Sequence, residues 1–129
     1  MSLRNEISLP TRPVLSHSAD AVQANELLFV AGILPVDASG ALVGEDDVSK
    51  QAQYVFAELD QILAAGGCDG TDVARINVYL TSIEDSSELD EPLLRTCGSA
   101  RAAGTVVEVR ALAVSGARIE IDATAVRSP

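Results

Sequence analysis

Nine residues near the C-terminus leave little choice of local structure. In Arg118-Ile-Glu-Ile-Asp-Ala-Thr-Ala-Val126, the residues Ile119, Ile121, Ala123 and Ala125 alternate with Arg118, Glu120, Asp122 and Thr124. A period of two is the mark of a strand with one face on a core and the other facing outward. Upstream, Ala102 to Leu112 reads as one long strand, and Ala113-Val-Ser-Gly116 as the short turn of a hairpin joining the two.

The rest of the chain supplies partners for that strand. Residues 1–12, with Pro10 and then Pro13 around Thr11-Arg12, read as an arm rather than a packed element, and 13–129 as a single domain. A first strand is expected over Val14 to Val22, with His17 and Ser18 near its start. Leu27 to Pro35 is apolar at consecutive positions, which predicts a strand buried on both faces. Helices cover one face; in a chain this small, a second copy of the chain is the expected cover for the other. Asp37-Ala-Ser-Gly40 is a turn, followed by a short strand, Ala41 to Val43.

Asp46 or Asp47 caps a long helix whose Val48, Ala52, Val55, Phe56, Leu59, Ile62 and Leu63 recur at helical spacing, and Gly66-Gly67 ends it. That stripe reads as core. On the next strand, Val73 to Leu80, Ile76, Val78 and Leu80 share one face and Arg75, Asn77 and Tyr79 the other. Glu84 to Cys97 is a second helix interrupted by Pro92, which in a helix interior costs about 3 kcal/mol. The helix is therefore kinked there, or starts afresh with Pro92 in its first turn. Strands, helix, strand, helix, strand, strand make an α+β sandwich with its helices on one sheet face.

Composition narrows the function. The 129 residues are 47% hydrophobic and 22% charged, an ordinary globular balance. A net charge of -10 and only two Tyr, two Phe and no Trp argue against a nucleic-acid partner, which needs basic surface and stacking rings. Two cysteines, Cys68 and Cys97, suit a reducing cytoplasm rather than a disulfide scaffold. With one histidine and no ligand spacing, no metal site is expected. No signal peptide or membrane-spanning run is visible, so a cytoplasmic protein is expected.

Val107-Glu-Val109, then Leu112, then Ile119-Glu-Ile-Asp-Ala-x-Ala-Val126 resembles the C-terminal signature of the reactive-intermediate deaminase family (Rid, YjgF-like; older labels endoribonuclease L-PSP and translation initiation inhibitor). Gly32 and Pro35 after the apolar strand and the loop from Gly67 to Asp72 match as well, and the resemblance runs from about Pro13 to Val126. It implies the chorismate-mutase-like fold: a mostly antiparallel or mixed six-stranded sheet with two helices on one face. It implies a homotrimer with a small-molecule cleft between subunits, no cofactor, and hydrolysis of imines and enamines such as 2-aminoacrylate. In such a site an arginine clamps the substrate carboxylate bidentately and a glutamate orients or deprotonates the attacking water.

Glu120 matches that glutamate; an exposed strand carboxylate is the competing reading. The arginine's position is held by Gly104, three residues before Val107-Glu-Val109. Ser18 stands where a pocket tyrosine is common, Ile33 where glutamine is usual, and Val106 where a small or polar residue is common. Arg101 is a possible displaced clamp, Thr105 a possible hydroxyl donor, and Gly32 a bulge, a pocket wall, or both. The expected pocket is more apolar, with altered specificity and poor action on 2-aminoacrylate. A non-catalytic trimeric binder stays open as an alternative, and a chorismate-mutase-like enzyme as a weaker one.

Overall fold

The computed structural model describes residues 3–127; Met1 and Ser2 of the expected arm and Ser128 and Pro129 of the expected domain lie outside the described residues. Six strands form one sheet: β1 (Arg4–Ile7), β2 (Ala21–Ala24), β3 (Leu27–Ile33), β4 (Val73–Leu80), β5 (Ala103–Glu108) and β6 (Ile119–Val126). Their spatial order is β1-β2-β3-β6-β4-β5. Every pairing is antiparallel except β4 with β5, which is parallel. Two helices, α1 (Val48–Ala65) and α2 (Asp90–Cys97), complete the mixed α+β architecture expected from the sequence.

The helix α1 begins where Asp47 accepts from the Lys50 amide at 3.0 Å. It ends at Gly66, with Gly67 at φ 76 turning the chain away. Its stripe of Ala52, Val55, Phe56, Leu59, Ile62 and Leu63 is buried against Leu28 and Val30 of β3, Ile76, Val78 and Leu80 of β4, and Ile119, Ile121, Ala123 and Ala125 of β6. Burying a large side chain of this kind contributes about 1.5–3 kcal/mol. Gln51, fully buried, fixes the helix to the start of β6: its amide nitrogen donates to the Gly44 and Gly116 carbonyls, both at 3.0 Å, and its oxygen accepts from the Arg118 amide at 2.8 Å.

Several expectations are corrected. The two C-terminal strands are not a hairpin. β6 lies between β3 and β4, and β5 pairs with β4 alone. The physical reason is α2: a parallel pair needs a long crossover, and the segment between β4 and β5 supplies one. β5 also stops at Glu108 rather than Leu112. Part of the expected arm, Arg4–Ile7, is an edge strand on β2. The first strand, expected over Val14 to Val22, instead runs Ala21–Ala24: Asp20 before it accepts from the Leu9 amide at 2.8 Å, and residues 8–20 are irregular. β3 alternates: Leu28, Val30 and Ile33 are buried, while Leu27 and Phe29 are exposed. The expected strand over Ala41 to Val43 is a single bridge between Val36 and Leu42. Pro92 lies in the first turn of α2, and the acidic run before it winds as a 3-10 helix, Ile83–Glu88.

Candidate functional site

The sheet has a helix-covered face and an outer face. Strand alternation sends Glu120, Asp122 and Thr124 of β6, Asn77 and Tyr79 of β4, and Thr105 and Val107 of β5 to the outer face. Glu120 stands beside Tyr79 in the β4–β6 register. On its other side is Gly32 of β3, and the Glu120 carboxyl fills the space that a β-carbon there would take. Among the described residues no side chain or amide hydrogen-bonds the Glu120 carboxyl. Burial, and then the negative charge of Asp122, push its pKa above the usual carboxylate value.

Asp122 is held from two sides. Asn77 Nδ2 donates to its Oδ1 at 2.7 Å, and the Tyr79 hydroxyl donates to its Oδ2 at 2.8 Å. The hydrogen bond to Asp122 raises the Tyr79 pKa, so the phenol keeps the proton it donates. Arg75 donates through Nη2 to Thr105 Oγ1 at 2.6 Å, linking β4 to β5 on this face. The Asn77–Asp122–Tyr79 unit is not visible in the sequence alone. Its residues could be assigned to strand faces, but nothing local places β4 beside β6.

The other site candidates lie apart from Glu120 within one chain. Gly104 pairs with Ile76, whose side chain belongs to the helix-side core, and a β-carbon at Gly104 would lie 3.6 Å from Ile76 Cγ2. It therefore faces away from Glu120. Gly104 and Arg101 line a groove of about 380 Å³ with Leu93, Leu94 and Cys97 of α2. Val106, partly exposed, follows on the same side of β5, opposite Val78. Ser18 lines a different cavity, of about 670 Å³, with His17, Ser16, Phe29 and Ala31; its hydroxyl is 2.9 Å from that of Ser16. Ile33 is corrected outright as a pocket residue. It is 1% exposed and packed in the helix-side core, because the irregular register after Val30 turns it inward. His17 is a minor influence on Glu6, whose pKa is lowered chiefly by its hydrogen bond to Arg4. No group of His, Cys, Asp and Glu side chains suited to a metal ion exists among the described residues, and no helix among them is long and apolar enough to cross a membrane.

Comparison with known proteins places this arrangement. The family model described as Endoribonuclease L-PSP matches residues 10–127. The chain belongs to the Rid/YjgF family. It is 29% identical to the human 2-iminobutanoate/2-iminopropanoate deaminase over 128 residues, covering 98% of this chain and 93% of that protein. The bovine deaminase of the same name is 34% identical over 112 residues, 86% of this chain and 80% of the relative. The protein DfrA of Myxococcus xanthus is 35% identical over 105 residues, 81% and 79% of the two chains. Among solved structures, RidA from an Antarctic Psychrobacter superimposes with a TM-score of 0.86 at 26% identity, covering 95% of this chain and 98% of the other. The six-stranded sheet and helical layer are thus the Rid fold, and Glu120 and Gly32 occupy adjoining strands of its outer face.

Proposed function

We propose that this protein is a cytoplasmic Rid-type hydrolase acting on imines or enamines, with its small-molecule cleft completed between the subunits of a homotrimer. Glu120 is the observation that carries the reading. A half-buried carboxyl with raised proton affinity and no hydrogen-bond partner among the described residues is suited to exchange a proton with a bound water. Water adds to the imine carbon, Glu120 takes its proton and passes it to nitrogen, and collapse of the carbinolamine gives a carbonyl compound and ammonia. No cofactor enters that balance.

The trimer is supported by the outer face, where Leu27, Phe29, Val107 and Val126 leave apolar surface exposed. Specificity follows from Gly104, which presents no charge where the family resemblance expects an arginine. A charge-assisted hydrogen bond contributes about 1.5–3 kcal/mol, so its loss weakens carboxylate binding by roughly ten to several hundred fold. The favoured substrate is therefore an imine without an α-carboxylate. Arg101, in the same groove as Gly104, is the nearest replacement cation on that segment. A non-catalytic binder using the same cleft is the second reading, favoured by the separation of Gly104 from Glu120 within one chain. A chorismate-mutase-like activity is the weakest reading, because the outer face does not gather the cations a dicarboxylate needs.

The test is ammonia release from imines formed in situ, by an amine oxidase for carboxylate-free substrates and an amino-acid oxidase for 2-imino acids. Wild type should act on the first set and poorly on the second. Gly104→Arg should raise the second, and Glu120→Gln should abolish both. No acceleration of any imine over buffer would leave the binder. Light scattering at micromolar concentration should give about three times the 13.4 kDa chain mass; a stable monomer would remove the shared cleft.

A further inference from the structure

The carboxyl of Glu120 does not stand alone on its strand. Two residues along, on the same face, is the carboxylate of Asp122, and alternation on a strand keeps such neighbours side by side. Both Asp122 oxygens are engaged, one by Asn77 and one by Tyr79. Two donors from a neighbouring strand fix the direction of this carboxylate, so it cannot rotate away or move toward solvent as a free surface aspartate would. Glu120 differs in each respect: it accepts no hydrogen bond among the described residues, and it rests against Gly32.

We propose that Asp122, fixed by Tyr79 and Asn77, is a positioning residue that adds to burial in favouring the protonated form of Glu120. A fixed negative charge beside a half-buried carboxyl favours the neutral acid, because ionising Glu120 places two like charges on one strand face. The surroundings supply little to offset it. β3 puts Gly32 against Glu120 and no charge. β4 puts Tyr79 there, whose proton is committed to Asp122. On β6, Asp122 follows, and Arg118, two residues before, is engaged by both oxygens of Asp85 at 3.1 and 2.9 Å. Arg75, farther along β4, is bonded to Thr105. The direction of the Glu120 pKa agrees with this geometry, although burial is its larger cause.

The inference deepens the hydrolase reading, since a carboxyl whose proton affinity is raised toward the working pH exchanges a proton with water more effectively than an ordinary one. It can be tested apart from that reading. Carbon-13 NMR of the side-chain carboxyls, with the Glu120 signal assigned by its loss in Glu120→Gln, follows the titration in the whole protein. In Asp122→Asn, which keeps the shape and removes the charge, the Glu120 midpoint should move to lower pH, and Asp122→Glu should restore part of the wild-type midpoint. Tyr79→Phe, which frees one Asp122 oxygen, should move it the same way by less, and it stands in should Asp122→Asn not fold. An unchanged or higher midpoint in the folded variants overturns the proposal. If imines are hydrolysed, the acid limb of the pH–rate profile should move with the NMR midpoint. A protein inactive on every imine would defeat the hydrolase reading while the titration still decided this one.

Discussion

The carboxyl of Glu120 lies over the α-carbon of Gly32, in the space that a β-carbon at that position would occupy. The two residues sit on neighbouring strands, β6 and β3, where the register between Val30 and Ile33 is irregular. A bulge and a missing side chain together make room for an acid that, among the described residues, has no ion-pair partner. Glycine in a strand weakens it, and its use here is close approach by another group.

Gly32→Ala should therefore separate activity from stability. The displaced atoms are the end of a flexible side chain rather than backbone, so the fold can yield by moving Glu120. Denaturant unfolding should change by less than about 1 kcal/mol, while imine hydrolysis falls toward the level of Glu120→Gln. Full activity in the alanine variant would show that the position of the Glu120 carboxyl over Gly32 is not the working one.

Gly70 gives the contrasting case. A β-carbon there would collide with the backbone carbonyl of Thr96, at the packing of the 3-10 turn Gly70–Asp72 against α2. Backbone cannot swing aside as a carboxyl can. Gly70→Ala should cost about 1–3 kcal/mol, the range for overpacking in an ordered core. A variant with the wild-type denaturation midpoint would mean that α2 shifts freely over the turn.

Phe56 and Leu59 are fully buried on the sheet-facing side of α1. Phe56→Ala should lower stability by about 3–5 kcal/mol and Leu59→Ala by about 2–5 kcal/mol, through lost transfer energy and a residual cavity. Losses below about 0.5 kcal/mol in urea melts would place the core elsewhere.

The acid Glu120 should carry a stability cost that depends on pH. Its folded pKa is raised, so its contribution to stability is fully present below the ordinary glutamate value and is lost as pH rises through the folded value. Glutamine has the same shape and never ionises. Glu120→Gln should thus melt at a higher temperature than wild type at about pH 7, and the two curves should converge toward about pH 4. Because the residue is half exposed, solvent screening keeps the gap modest. A variant that melts below wild type at neutral pH would show that the charged form is stabilised by the fold.

Sequence by itself determined the parts of this protein that depend on neighbours along the chain. The alternation of β6 fixed which of its residues face the core. The stripe, cap and terminal glycines of α1 fixed its length, and Pro92 fixed where α2 can start. These are short-range matters of backbone geometry and periodicity. The residues Val107-Glu-Val109 and Ile119-Glu-Ile-Asp122 also carried the family and pointed to Glu120. Tertiary structure alone decided the pairing of strands. A strand's pattern says which face is buried but not which strand lies beside it, so β5 and β6 read as a hairpin when β4 stands between them. The same decision brought Asn77 and Tyr79 onto Asp122, turned Ile33 into the core, and set Gly104 on the face away from Glu120. Each depends on hydrogen-bond register between segments far apart in sequence, and register is settled only when the whole sheet closes over its core.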